Sequence, residues 1–115
     1  RESTIDTHGA VSHETAIEMA RGACRRTGAD ASVATTGVAG PSGGSPSKPV
    51  GTVYVAVASP DGWIYSRRFG FPGDRATVRS RTVRLALSAV RFALLGEPRQ
   101  PFLWSEGEAV RAERL

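Results

Sequence analysis

Between two apolar segments the chain carries TTGVAGPSGGSPSKPVG, residues 35–51. Gly37, Gly40, Gly43 and Gly44 recur there among hydroxyls from Thr35, Thr36, Ser42, Ser45 and Ser47, with Lys48 adding a charge. Glycine admits positive φ and lets a ligand approach the backbone closely. Successive exposed N–H groups then form a concavity that suits an anion. In α/β sheets, ligands settle outside the carboxyl ends of strands, and this loop follows a strand-like segment. The chemistry on offer is recognition of a phosphate-bearing molecule. The plain alternative is a flexible connector, which the same Gly, Ser and Pro content supports.

Two motif matches fail on context. No Gly-Lys-Ser/Thr closes the loop and a strand follows it, so it is not a Walker A loop; nor is it GxGxxG. Ser45-Pro46-Ser47-Lys48 has the Ser-x-x-Lys spacing of penicillin-binding enzymes, but that pair needs a helical turn, which Pro46 and Pro49 oppose. His8, His13 and Cys24 lack metal-ligand spacing, so no metal is expected. Cys24 and Tyr54 read as core residues. Arg75 stands at a helix start beside Gly73, where a sheet edge can meet a ligand; a salt bridge at the core edge is its other role.

The elements that position these residues read as follows. Ser12 is an N-cap, Glu14 follows in the first turn, and Ala16, Ile17, Ala20, Ala23 and Cys24 recur at helical spacing up to Thr27 and Gly28. Residues 31–35 form a short strand. Residues 51–58 form the strongest one, apolar without alternation and hence covered on both faces. Ser59-Pro60-Asp61-Gly62 turns the chain into a return strand over 63–71. Asp74 caps a helix that reaches about Leu95, stopped by Gly96 and Pro98. Val78, Thr82, Leu85, Ala89 and Phe92 make one stripe on it, and Val83, Leu87, Val90 and Leu94 a second, so that much of its girth is expected to be covered. The tail, residues 97–115, is charged and weakly patterned, with Phe102-Leu103-Trp104 able to dock on the body.

These elements predict an α/β fold with about three strands and two main helices. With 115 residues the chain is one domain with a thin core. The net charge of +4, from one lysine and fourteen arginines against eleven acids, suits a phosphate-bearing ligand or nucleic acid. Nucleic acid is disfavoured because the arginine-rich helix face carries no clustered aromatics. A single cysteine fits a reducing compartment, and no apolar run is long enough for a membrane span, so a cytoplasmic protein is expected.

HGAVSHETAIEMA at 8–20, TTGVAGPSGGSPSKPVGTVYVAVA at 35–58 and RRFGFPGDRATVR at 67–79 resemble, in order and in register, the CinA C-terminal domain. That domain also stands alone as the nicotinamide-nucleotide amidohydrolase PncC. The resemblance covers about residues 5–95; it makes residues 1–96 a partial amidohydrolase domain and 97–115 a tail. It implies a three-layer α/β/α sandwich, here incomplete, and hydrolysis of nicotinamide mononucleotide (NMN) to nicotinic acid mononucleotide and ammonia, in pyridine-nucleotide salvage, without cofactors. It implies that Thr36, Gly37, Val38, Ala39, Gly40, Gly43 and Gly44 line the substrate pocket, with Arg75 as phosphate or pocket-edge partner. The family's serine nucleophile, Tyr and Lys lie in a segment with no match here; they would precede Arg1. The chain alone is therefore expected to be inactive. A homo-oligomer is also expected. The second reading is a non-catalytic nucleotide-binding or interaction module; the third is a nucleic-acid binder resting on the arginine helix.

Overall fold

The computed structural model describes residue 5, residues 9–98 and residues 106–114. The expectations for His8 and for docking of Phe102-Leu103-Trp104 lie outside the described residues.

Helix α1 spans His13–Thr27. Ser12 Oγ accepts from the Thr15 N–H at 3.1 Å, and the Gly28 N–H donates to Cys24 O at 2.8 Å, so both helix ends are satisfied as the sequence predicts. Strands β1 (Ser32–Gly37), β2 (Thr52–Ala58), β3 (Trp63–Gly70) and β4 (Glu106–Glu113) form an antiparallel sheet in the order β1-β2-β3-β4. Helix α2 spans Arg75–Leu94, with Asp74 accepting from the Thr77 N–H at 2.9 Å.

The two-residue period of the strands sends alternate side chains to opposite helices. Val53, Val55, Val57, Tyr65 and Phe69 meet Val78, Leu85, Ala89 and Ala93 of α2. Ala34, Tyr54, Ala56, Ala58 and Ile64 meet Ala16, Ile17, Ala20 and Cys24 of α1. All seven residues of β2 are buried, as a strand covered on both faces requires. The result is a three-layer α1/sheet/α2 arrangement. Cys24 and Tyr54 are core residues; the Cys24 thiol donates to Ser32 Oγ at 3.3 Å.

Two expectations need correction. The sheet has four described strands, not three: EGEAVRAE in the tail adds an edge strand beside β3. Its sequence has little strand propensity, but backbone pairing with β3 supplies the order. Arg114 secures its end, donating to Asp30 O (2.6 Å), Ser59 O (3.0 Å) and Ala29 O (2.6 Å). The second correction concerns α2. Val83, Leu87 and Leu94 are 59%, 64% and 61% exposed, because the sheet covers only one side of a helix. No helix among the described residues is long and apolar enough to cross a membrane.

Candidate functional site

β1 ends at Gly37, where the glycine-rich loop begins. The loop continues the ladder before it turns away: the Val38 N–H donates to Thr52 O at 2.9 Å, and the Gly51 N–H to Val38 O at 2.7 Å. Its far side is closed by Ser45 N–H to Lys48 O at 3.0 Å. It is then fastened to the body. Lys48 Nζ donates to Val11 O, Arg68 Nη2 to Ser47 O at 2.6 Å, and Arg75 Nη1 to Gly40 O at 3.3 Å. The segment is a built surface, not slack linker.

Beside it lies a cavity of about 330 Å³ between the end of β1 and the first half of α2. That volume falls in the range of small-molecule sites. Thr35, Thr36 and Gly37 form one wall, and Arg75, Arg79 and Thr82 bring charge and hydroxyl from the helix. Ala39, Val53, Val78 and Val83 supply the apolar part. Arg75 and Arg79 are one helical turn apart, so both guanidinium groups serve the same mouth. The N-terminal turn of α2 adds its partial positive charge there. Asp74 caps that turn, and the N–H of Thr77 holds its carboxyl below the ordinary aspartate range. The combination accepts an anion at one end and an apolar ring at the other.

The structure brings Thr36, Gly37, Ala39 and Arg75 to this cavity. Thr36 also spends its hydroxyl on Ala10 O at 2.7 Å. Val38, Gly40, Gly43 and Gly44 are not in the lining. Val38 is engaged in the ladder, and the Gly40 carbonyl receives Arg75. Gly43 and Gly44 are exposed beyond them. Arg79, Thr82 and Val83 were missed as site residues. Their signal was available: they follow Arg75 at one- and two-turn spacing along the same side of the helix.

The opposite face of the sheet holds a second polar cluster. His13 Nδ1 and Ser66 Oγ are 2.7 Å apart and both buried, and the His13 ring meets Tyr54 edge-on at 4.7 Å. Lys48 and Arg68 each stand 5.7 Å from the Tyr54 ring centroid. This cluster ties α1, β2, β3 and the loop together.

The family model for the CinA C-terminal domain matches residues 1–94. The chain belongs to the CinA C-terminal domain family. A putative competence-damage inducible protein of Thermoanaerobacter pseudethanolicus is 50% identical over 96 residues, which are 84% of this chain and 23% of that protein. A CinA-like protein of Mycolicibacterium gilvum is 51% identical over 92 residues, 80% of this chain and 22% of that one. Among solved structures, the competence damage-inducible protein A of Klebsiella pneumoniae superposes with a TM-score of 0.75 at 38% identity, over 83% of this chain and 58% of that one. The competence/damage inducible protein of Agrobacterium tumefaciens gives 0.72 at 43% identity, over 76% and 54%. The chain thus spans under a quarter of these curated relatives and somewhat over half of these solved CinA chains. β4 lies beyond the stretch that the family model matches.

Proposed function

We propose that this chain supplies the nucleotide-binding part of an NMN deamidase, which converts NMN and water to nicotinic acid mononucleotide and ammonia in the cytoplasm. The observation that carries the reading is the pairing of Arg75 and Arg79 with hydroxyls and an apolar wall in one cavity at a strand end. The phosphate takes the guanidinium side, and the pyridine ring takes the side of Val53, Val78 and Ala39. Two arginine contacts to a phosphate are charge-assisted and directional.

Amide hydrolysis needs an activated nucleophile and donors for the oxyanion. Among the described residues, the cavity's lining has threonines and arginines but no His, Lys, Cys or carboxylate to act as a base. On this chain's own residues the site binds and orients; the bond-breaking groups come from elsewhere in the assembled enzyme, which functions as an oligomer. That same lining favours one alternative, a nucleotide-binding module without catalysis. Calorimetric titration with NMN tests the binding claim, with nicotinamide riboside as the phosphate-free comparison. NMN is expected to bind, the riboside at least about tenfold more weakly, and R75A/R79A to lose the difference. Equal affinity for both ligands, or no binding by the folded chain, overturns the reading. Ammonia release is expected at background for this chain alone.

A further inference from the structure

The β3 margin of the sheet is taken by a strand from outside the family domain. The family model matches residues 1–94, whereas β4 spans Glu106–Glu113. Ala109 and Val110 of β4 are exposed, while Ala112 packs against the α1-side core. Side-chain burial therefore contributes little, and the strand is held by its ladder to β3 and by its end.

That end is read in three ways. Its backbone is gripped: Arg21 Nη2 donates to Glu113 O at 2.6 Å, Arg21 Nε to Arg114 O at 3.3 Å, and the Arg114 N–H to Gly62 O at 3.0 Å. Arg111 stands 4.1 Å from the Trp63 ring centroid, at cation–π distance. The Arg114 guanidinium enters a cage of backbone carbonyls, Ala29 O and Asp30 O after α1 and Ser59 O from the β2–β3 turn. Three oxygens from two loops converge on one planar group. A guanidinium offers five N–H donors in a fixed fork, which the single nitrogen of a lysine does not reproduce. The groups that grip the tail lie between Arg21 and Trp63, inside the matched domain, and the groups gripped lie beyond it.

We propose that the β3 margin and this carbonyl cage form a peptide-docking site of the strand-addition kind, selective for an arginine at the strand's end, with the chain's own tail as its resident ligand. A tethered ligand acts at an effective concentration on the order of millimolar, so the tail shuts out a free segment of the same kind until it is released. The site lies at the opposite margin of the sheet from the cavity beside β1, and the inference stands whether or not NMN is the ligand.

The test uses the full chain and a fluorescent peptide of residues 106–115, EGEAVRAERL, followed by anisotropy. A109P/V110P/R114A changes only the tail; strand N–H groups point alternately to either side, so one of the two prolines removes a bond to β3. This variant is expected to take up the peptide one-to-one, at least about tenfold more tightly than the wild-type chain does. R114A alone, a milder release, is expected to fall between them. Peptides with alanine or lysine in place of Arg114 are expected to bind about tenfold more weakly or worse, and so is the parent peptide when R21A is added to the variant. Three results overturn the proposal. One is no uptake by either released variant with the chain shown folded by near-UV circular dichroism. Another is equal binding of the arginine, lysine and alanine peptides. The last is self-association of the wild-type chain that excess peptide dissolves, which places each tail on a second copy.

Discussion

Gly51→Ala is expected to be among the most damaging single-methyl changes in the chain. Gly51 joins the glycine-rich loop to β2: its N–H donates to Val38 O at 2.7 Å, and its carbonyl accepts from the Phe71 N–H at 2.9 Å. Its φ is 97°, and an added Cβ would lie 2.1 Å from Phe71 O. That neighbour is backbone, so relief requires the loop end and the segment after β3 to separate. A left-handed conformation costs a side chain about 1–2 kcal/mol. Losing the two hydrogen bonds adds about 1 kcal/mol each. The sum is about 3–4 kcal/mol. Gly62→Ala is the internal comparison: its φ is 94°, but nothing lies within 4 Å of the added methyl, so only the conformational cost of about 1–2 kcal/mol applies. In urea, with a slope of about 2 kcal/mol per M, the midpoint is expected to fall by about 1.5–2 M for Gly51→Ala and by about 0.5–1 M for Gly62→Ala. Equal falls would refute the claim that the loop is held by its backbone contacts at Gly51.

Further outcomes are expected elsewhere. Ser66→Ala removes a buried 2.7 Å hydrogen bond to His13 and is expected to cost about 1–3 kcal/mol, read from the urea midpoint. Arg114→Ala releases three carbonyl contacts at the end of β4; hydrogen exchange in β3 is expected to quicken, while an unchanged β3 would show that pairing alone holds the strand. Asp74 has its folded pKa depressed by the Thr77 N–H, so its contribution is full above the unfolded aspartate value and fades as pH falls through the lower folded value. Asp74→Asn is expected to flatten that acid limb of the stability profile, measured by melting temperature against pH.

Much of the fold was legible because local signals agreed with the tertiary outcome. Ser12 and Asp74 cap where their side chains predict, Gly28 closes α1, and the unbroken apolar run of β2 is covered on both faces. β1 runs two residues further than expected, to Gly37, because the glycine loop keeps pairing with β2 before it turns. β4 was not legible: EGEAVRAE owes its order to the β3 edge and to Arg114, which are long-range partners. The stripe of Val83, Leu87 and Leu94 was legible as apolar, but periodicity cannot say whether anything lies against it. For the site, glycine content marked the loop but not which residues face the cavity. Thr36, Gly37 and Ala39 do, whereas Val38 and Gly40 are spent on holding the loop in place. Arg79 and Thr82 share the side of α2 that carries Arg75, so their helical spacing from it was a legible signal.

The most direct measurement is a titration of NMN followed by amide chemical shifts across the assigned chain. Perturbations are expected at Thr35, Thr36, Gly37, Ala39, Arg75 and Arg79, saturating together. Perturbations confined to the second cavity, on α1, at Glu18, Met19, Arg21, Gly22, Arg25 and Arg26, or an unchanged spectrum at millimolar ligand, would contradict a nucleotide seat between β1 and α2.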